Sequence, residues 1–236
     1  MAGALSGKVA LVTGGNRGIG FAIAKALAGQ DATVIITGRD AQKLKAAADD
    51  LGRTARAAEC DMRDETSVAQ AFAGIKQEFG KLDILVNNAG IAGPAGKIEN
   101  LNYADWRNVV DTNLTGLFLV TRAALPLLAA GATVVNNISI AAKTVFPGMA
   151  AYNASKYGAL GFTDSLREEV RPRGIRVISL MPGAVDTDIW QQFWPQAPRK
   201  KMMSPESIAQ AVLTAILMPE GTAMQEIAIV PTSGKL

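Results

Sequence analysis

Histidine is absent from this chain of 236 residues, and Cys60 is the only cysteine. The lack of histidine excludes His-dependent catalytic triads and most zinc sites, because imidazole is the usual base of the former and a frequent ligand in the latter. A single cysteine excludes an intramolecular disulfide, which suits a reducing cytoplasm. Acid–base chemistry is therefore left to carboxylate, serine, tyrosine and lysine side chains, and we expect no metal site.

Long apolar runs and strong charge are also missing. The most apolar segment after the first strand, residues 123–135, is too short to cross a membrane and contains Pro126 and Gly131. Residues 1–7 lack the basic region of a signal peptide. The net charge is only +3, and no basic stripe indicates a nucleic-acid partner. We expect one cytoplasmic domain over residues 1–236, without membrane or nucleic-acid partners.

Short runs of β-branched and apolar residues alternate with helical segments along the chain. The predicted strands are 8–13, 32–37, 54–59, 82–86, 132–137, 175–181 and 226–230. The predicted helices are 21–28, 41–51, 65–79, 103–130, 150–170 and 205–218, the fourth bent near Asn113 or at Pro126. This alternation predicts an α/β fold in which a parallel sheet carries helices on both faces.

A glycine-rich turn joins the first predicted strand to the first helix. It contains Gly14, Gly15, Gly18 and Gly20. Glycines allow a backbone to approach a pyrophosphate closely, and the N-terminus of a helix supplies unpaired N–H groups and the positive end of its dipole. The strand–turn–helix setting therefore favours a dinucleotide site, with a merely tight turn as the alternative.

The second predicted strand ends at Gly38 and Arg39, without the acidic residue that holds ribose hydroxyls in NAD sites. An arginine at this place suits the 2′-phosphate of NADP, and Arg17 in the glycine turn can reach the same phosphate. Asp40 follows as the predicted N-cap of the next helix. These charges favour NADP(H) over NAD(H). The alternative is that both arginines are solvated surface residues.

Tyr152 and Lys156 are spaced to lie on one face of a helix, one turn apart. A nearby ammonium favours the phenolate, so we expect the pKa of Tyr152 to be lowered. Such a phenol can exchange a proton near neutral pH, as a general acid–base catalyst must. The alternative is an amphipathic surface pair.

Polar residues also follow the ends of other predicted strands. Asp61 is placed to accept a hydrogen bond from an adenine amino group, unless it caps the next helix, a place that Asp64 fills better. The segment 87–90, Asn-Asn-Ala-Gly, predicts a turn with side-chain hydrogen bonds to spare, mainly for scaffolding. Ser139 lies at the end of the fifth strand, and Asn113 lies within a helix despite its mediocre propensity.

Four stretches together resemble the short-chain dehydrogenase/reductase family. They are Thr13-Gly14 with Gly18-Ile19-Gly20, then residues 87–90, then Ser139 with Tyr152 and Lys156, and finally Pro182-Gly183-Ala184-Val185-Asp186-Thr187. Their order and spacing match the family over residues 8–187. The resemblance implies a doubly wound parallel sheet of the Rossmann-like kind, in three αβα layers, and an NADP-dependent oxidoreductase.

The resemblance also implies roles for the site residues. Tyr152 would exchange a proton with the substrate oxygen, Ser139 would hydrogen-bond that oxygen, and Lys156 would lower the pKa of Tyr152 and bind the nicotinamide ribose. Asn113 would hold a water that relays protons, and Thr187 would contact the nicotinamide carboxamide. The implied cofactor-binding residues are Gly14, Asn16, Arg17, Gly18, Ile19, Gly20, Arg39, Asp61, Met62, Asn88, Ala89, Gly90, Tyr152, Lys156, Pro182, Gly183, Val185 and Thr187.

Two departures from the family pattern affect the pocket and the assembly. The usual Ile-Ser-Ser run is replaced here by Ile138-Ser139-Ile140, so we expect a different pocket wall. Near the C-terminus, residues 229–234 replace a common Val-Asp-Gly-Gly segment from a region that helps to build tetramers. We therefore expect a homo-oligomer, with a dimer through two long helices favoured over a tetramer.

The segment 187–204 corresponds to the part that usually covers the substrate. It contains Trp190, Phe193 and Trp194, which either wall an apolar pocket or seal the fold. Its basic run 199–201 either meets an acidic partner such as an acyl carrier protein or is simply solvated. We expect a ketone or secondary alcohol as substrate, either a 3-oxoacyl thioester or a small ketone or cyclic alcohol. The alternatives are a nucleotide-binding regulatory protein without turnover and a lyase or epimerase.

Overall fold

Seven strands alternate with seven α-helices in the computed structural model, which describes residues 2–234. The strands are β1 Val9–Thr13, β2 Thr33–Gly38, β3 Ala55–Glu59, β4 Leu82–Asn87, β5 Leu128–Asn137, β6 Arg176–Pro182 and β7 Glu226–Ile229. The helices are α1 Gly18–Ala28, α2 Ala41–Leu51, α3 Glu65–Phe79, α4 Tyr103–Val110, α5 Gly116–Ala124, α6 Ala150–Val170 and α7 Pro205–Ile216.

All seven strands form one parallel sheet in the order β3-β2-β1-β4-β5-β6-β7. Val12 at the centre of the sheet pairs with Ile36 on one side and with Val86 on the other. The strand order therefore reverses between β1 and β4. In open parallel sheets, ligands bind at such a reversal, outside the carboxyl ends of the strands.

Alternate residues of the strands face two separate apolar cores. Val12 and Ile36 pack with α1, α2 and α7, whereas Leu11 and Ile35 pack with α3, α5 and α6. Strands buried on both faces need the nearly continuous apolar runs that the sequence carries. The three layers confirm the predicted doubly wound αβα sheet.

Two aspartates cap helices as the sequence predicts. The Asp40 carboxylate accepts a hydrogen bond from the Lys43 N–H at 3.0 Å, at the start of α2. The Asp64 carboxylate accepts a hydrogen bond from the Thr66 N–H at 2.9 Å, at the start of α3. Because Asp64 fills the cap, Asp61 is left to face the carboxyl edge of the sheet.

The predicted helix 103–130 is wrong beyond residue 124. It is divided by a π-helical turn at Asp111–Thr115 and ends at Ala124, and β5 begins at Leu128. Pro126 lies in the short 3₁₀ turn between helix and strand, because proline has no N–H to continue a helical ladder. Elsewhere the predicted and observed boundaries differ by only a few residues, as at α1, which starts at Gly18.

None of the described helices is both long enough and apolar enough to cross a bilayer. Among residues 2–234, no group of three or more His, Cys, Asp or Glu side chains is arranged to hold a metal ion.

Candidate active site

A cavity of about 890 Å³ runs along the carboxyl ends of the strands, where the strand order reverses. Most predicted site residues line it: Gly14, Asn16, Arg17, Gly18, Ile19, Arg39, Asp61, Met62, Asn88, Ala89, Gly90, Ser139, Tyr152, Lys156, Pro182, Gly183, Val185 and Thr187. Gly20 and Asn113 are the exceptions. Gly20 lies behind the wall against Asn88, and Asn113 lines a second, small cavity behind it.

The glycine turn leaves room that side chains would fill. Gly18 has a φ of +55°, and a Cβ there would lie 3.2 Å from Cγ2 of Thr187 across the groove. A Cβ on Gly20 would clash with the Asn88 side-chain amide and with the Gly14 carbonyl. The α1 N-terminus has no acidic residue in its first turn and no side chain capping it. Its N–H groups therefore form a cradle that fits a pyrophosphate.

The asparagine turn after β4 is tied to the strands on both sides of it. The Thr13 hydroxyl accepts hydrogen bonds from the N–H groups of Asn88 at 2.9 Å and Ala89 at 3.0 Å. The Asn88 amide donates to the Thr13 carbonyl at 3.0 Å and accepts from the Asn137 amide at 2.9 Å. The ends of β1, β4 and β5 are thus joined, and this agrees with the scaffolding role predicted for the turn.

Three arginines surround one end of the cavity. Arg39 is exposed and lines the cavity beside Asp61. Hydrogen bonds from Arg63, with one N–O distance of 2.6 Å, hold the pKa of Asp61 below its usual value, and the charge of Arg39 adds to this effect. Arg17 forms a long ion pair of 3.4 Å with Asp188 across the groove. Both side chains of that pair are mostly exposed, so Arg17 is held only weakly.

Lys156 is buried, with 6% of its surface exposed, and projects from α6 beneath the cavity. Its ammonium donates to the main-chain carbonyl of Asn137 at 3.2 Å. Its nitrogen lies 5.5 Å from the centroid of the Tyr152 ring, within range of a cation–π contact. Burial lowers the pKa of Lys156 to about 8, because desolvation disfavours the ammonium.

Tyr152 shows the opposite of the predicted shift. Desolvation raises its pKa above the usual value, and the Ser139 side chain, which favours the phenolate, opposes that shift without reversing it. The expected lowering is wrong in this geometry, because desolvation of the buried phenol is the largest effect on its pKa. The phenol is therefore protonated at neutral pH, the form that a proton donor needs.

Ser139 has a backbone conformation that is rare for any residue except glycine. Its φ is +114° and its ψ is +154°, and Asp31 is the only other non-glycine residue with positive φ among residues 2–234. The main-chain N–H of the preceding Ile138 donates to the Leu180 carbonyl at 2.7 Å. The Ser139 hydroxyl accepts from the Ala141 N–H at 3.2 Å. Such strained backbone clusters at functional sites, where the surrounding structure holds it.

Asn113 lies in the π-helical turn and links two parts of the site. Its amide oxygen accepts from the Ile91 N–H at 2.9 Å, and its amide nitrogen donates to the Ile91 carbonyl at 2.8 Å. The same nitrogen donates to the Ser155 hydroxyl at 3.0 Å, which in turn donates to the Tyr152 carbonyl at 2.8 Å. Asn113 thereby fixes the loop after β4 against the helix that carries the tyrosine and the lysine.

The segment 187–204 forms one wall of the cavity. Trp190, Phe193 and Trp194 all line it, with ring centroids 5.0 Å apart for Trp190 and Phe193. The Trp190 indole N–H donates to the Val185 carbonyl at 2.8 Å. In the basic run, Arg199 forms an ion pair with Asp186, whereas the following two lysines are exposed and do not line the cavity. Of the two alternatives for the aromatic residues, the structure therefore favours the pocket wall.

Three amide side chains hold the site together and were not identified from the sequence. The Asn137 amide donates to the Asn88 side chain, and the main-chain carbonyl of the same residue accepts from Lys156. The Asn153 amide donates to the Phe146 carbonyl at 2.9 Å, and the Gln192 amide oxygen accepts from the N–H groups of Ala92 and Gly93. Asn153 lies inside the tyrosine–lysine motif, but no sequence signal indicates its partner. Gln192 is about a hundred residues from the loop that it binds, a separation no local pattern spans.

Comparison with known proteins agrees with this geometry. The sequence profile of the family described as short chain dehydrogenase matches residues 8–198. One relative is the 3-oxoacyl-[acyl-carrier-protein] reductase FabG of Aquifex aeolicus (strain VF5), which is 39% identical over 223 residues. That alignment covers 89% of this chain and 90% of the relative.

Two solved structures are similar over almost the whole chain. A short chain dehydrogenase from Burkholderia cenocepacia J2315, in complex with NADP, is 35% identical with a TM-score of 0.87, covering 96% of this chain and 97% of its own. The 3-ketoacyl-(acyl-carrier-protein) reductase from Brucella melitensis, complexed with NADH, is 30% identical with a TM-score of 0.88, covering 96% and 98%. By the profile match, these relatives and the motifs gathered at one cavity, the chain belongs to the short-chain dehydrogenase/reductase family.

Proposed function

We propose that this protein is an NADP(H)-dependent oxidoreductase that interconverts a ketone and a secondary alcohol, an activity of the EC 1.1.1 type. The observation that carries the proposal is the shared cavity, in which Tyr152, Ser139 and Lys156 meet the glycine turn. When bound, the nicotinamide supplies the hydride to the carbonyl carbon or accepts it from the alcohol. The chain itself holds the substrate oxygen and moves the proton.

Tyr152 and Ser139 act on the substrate oxygen. In the direction of reduction, the Tyr152 hydroxyl donates its proton to the carbonyl oxygen, and the Ser139 hydroxyl donates a hydrogen bond to the same atom. Because burial raises the pKa of Tyr152, the phenol is protonated at neutral pH, which is the form that this step needs. The Ser139 side chain favours the phenolate that remains, and Lys156 would hold the ribose hydroxyls of the cofactor.

A small cavity behind Lys156 supports the relay water predicted beside Asn113. Asn113 and Lys156 both line it, and its volume of about 10 Å³ is close to the minimum for one water molecule. Asn87 also lines it, and among residues 2–234 its Oδ1 is the only buried side-chain polar atom without a hydrogen-bond partner. A water there would satisfy Asn87 and connect the lysine to the asparagine.

The charges at the adenosine end support NADP(H) over NAD(H). β2 ends at Gly38 and is followed by Arg39, so the position that is acidic in NAD sites carries no carboxylate. Arg39 lines the cavity, and the weakly held Arg17 can turn to the same phosphate. Asp61 would accept a hydrogen bond from the adenine amino group. Solved relatives carry NADP in one case and NADH in another, so the preference rests on these side chains.

The FabG relative makes a 3-oxoacyl thioester one candidate substrate, beside small ketones and cyclic alcohols.

We also propose a homodimer. Phe118 on α5 and Tyr157 on α6 are exposed large apolar residues, 41% and 45% of their surfaces, which suits a contact through these helices. A molar mass of four chains by light scattering would contradict it. The cytoplasmic location stays a prediction.

A Tyr152→Phe variant separates this enzyme from a nucleotide-binding regulatory protein on the same fold. The change removes only the hydroxyl, so NADPH affinity should stay within about twofold of the parent, while carbonyl reduction falls by at least about 100-fold. Binding is measured by the enhancement of NADPH fluorescence, and reduction by the loss of absorbance of the dihydronicotinamide. Reduction at the parent rate in this variant contradicts the mechanism.

A further inference from the structure

The part of the cavity beyond Ser139 and Tyr152 is walled by apolar side chains from two segments. Phe146 and Met149 come from the segment between β5 and α6, and Trp190 and Phe193 come from residues 187–204. Met149 is almost completely buried, so it forms the floor of this part and not its rim. The walls therefore present aromatic and thioether surface next to the proposed proton donor.

Among residues 2–234, no cation lines this region to pair with a carboxylate. The charged residues that line the whole cavity are Arg17, Arg39, Asp40, Lys43, Asp61, Arg63, Lys156 and Asp188. Most of the cations among them belong to the adenosine end, and Lys156 is bound to Asn137. Two cations that do not line the cavity are engaged elsewhere, since Lys143 forms a 2.6 Å ion pair with Glu226 and Arg199 pairs with Asp186.

Two amide side chains fix these walls in place. The Asn153 amide binds the main chain of Phe146 on both sides, donating to its carbonyl at 2.9 Å and accepting from its N–H at 3.4 Å. The Gln192 amide oxygen accepts from the N–H groups of Ala92 at 2.9 Å and Gly93 at 3.2 Å. The walls are therefore preformed, and because these bonds reach the main chain, they hold the wall whichever side chain stands at position 146.

From these observations we infer that the substrate is an uncharged carbonyl compound with a bulky apolar group on the reacting carbon, and that the site rejects oxo acids. A carboxylate placed there would lose its hydration without gaining an ion pair, whereas an apolar group gains contacts with the aromatic walls. The inference rests on the proposed function, because it assumes that the carbonyl lies at Tyr152 and Ser139. It adds the class of substrate that the site selects.

Ethyl benzoylformate and benzoylformate form a matched pair for the test, because they share the phenyl ketone and differ in ester against carboxylate. We expect the parent enzyme with NADPH to show a kcat/KM at least about 100-fold higher for the ester. A Phe146→Arg variant should reduce this ratio by at least about tenfold, because it places a cation in the apolar wall. Val145→Arg is the control: Val145 is 66% exposed, does not line the cavity, and should leave the ratio unchanged.

Equal kcat/KM values for the two compounds in the parent enzyme would overturn the inference and leave the reductase function standing. The comparison of the two compounds in the parent enzyme tests the inference even if the Phe146→Arg variant fails to fold. If neither compound is reduced, binding of the two compounds tests the inference instead. Trp190 and Trp194 line the cavity, so their fluorescence reports on a bound compound. Saturable quenching of tryptophan fluorescence in the NADP⁺-loaded protein by the ester alone supports the inference. Equal quenching by both compounds, or by neither, contradicts it.

Discussion

The ammonium of Lys156 is hydrogen-bonded to the main-chain oxygen of Asn137 at 3.2 Å, so the lysine of α6 is anchored to the end of β5. The contact fixes a buried cation next to the Tyr152 ring without a carboxylate, since no ion pair of Lys156 occurs among the described residues. Such a cation costs stability, and the cost depends on pH.

Replacing Lys156 by methionine should change the pH dependence of stability. Burial lowers the pKa of Lys156 from 10.5 to about 8. Below about pH 8 the lysine is therefore charged in both the folded and the unfolded chain, and burying the charge has its full cost in stability. Between the two values the unfolded chain binds more protons, so the stability of the parent rises with pH. From about pH 8 to 9.5 the parent should gain about 1–2 kcal/mol in free energy of unfolding relative to Lys156→Met. Urea unfolding followed by circular dichroism measures this difference in free energy of unfolding. If the free energies of the parent and the variant change with pH in parallel, the expected gain is contradicted.

Replacing Ser139 by glycine should relieve backbone strain while removing activity. With φ at +114°, Ser139→Gly should be more stable than Ser139→Ala by about 1 kcal/mol, because only glycine adopts this conformation freely. Both variants lack the hydroxyl, so both should lose at least about 100-fold in kcat/KM. Thermal unfolding and steady-state kinetics measure the two effects. Equal stability of the glycine and alanine variants would show that the serine backbone stores no strain.

Gln192 should hold the segment 187–204 against the loop after β4. In Gln192→Ala the bonds from Ala92 and Gly93 are lost, so we expect faster proteolytic cleavage within 187–204 and a KM for the ketone raised about tenfold. The neighbouring Gln191 is exposed and does not line the cavity, so Gln191→Ala serves as the control. A cleavage rate in Gln192→Ala equal to that of the control would argue against the contact in solution.

An alanine at Gly18 should weaken cofactor binding more than it weakens the fold. Gly18 has φ +55°, and its Cβ would point at Thr187 within the groove, whereas Gly52 has φ +95° with no atom within 4 Å. Gly52→Ala therefore carries the same kind of backbone strain without touching the site. We expect at least about a tenfold loss of NADPH affinity for Gly18→Ala alone, measured by calorimetry. Equal affinities of the two variants would place the cofactor elsewhere.

Much of the fold could be predicted from the sequence, because its signals are local. Strands such as β1 are short apolar runs, and Asp40 and Asp64 are caps that act on the next turn of chain. The end of the fourth predicted helix is not predictable in the same way, because a proline can mark either a bend within a helix or its end. In the structure Pro126 lies where helix changes to strand.

The residues of the candidate site were also predictable, but not their energetics. Ser139, Tyr152 and Lys156 are recognised by spacing, and the structure brings them to one cavity. The direction of the Tyr152 shift depends on desolvation, which a sequence does not show, and this outweighs the effect expected from a neighbouring lysine. The contacts of Gln192 join segments far apart in the chain, and only the folded structure reveals them.

Reduction of a carbonyl compound by NADPH is the activity proposed for this protein. The most direct measurement follows the absorbance of NADPH and, in parallel, of NADH against a broad panel of ketones and 3-oxoacyl thioesters. We expect turnover with NADPH and a kcat/KM at least about tenfold lower with NADH, because Arg17 and Arg39 would bind the 2′-phosphate. Tight NADPH binding without turnover of any member of the panel would contradict the proposed activity.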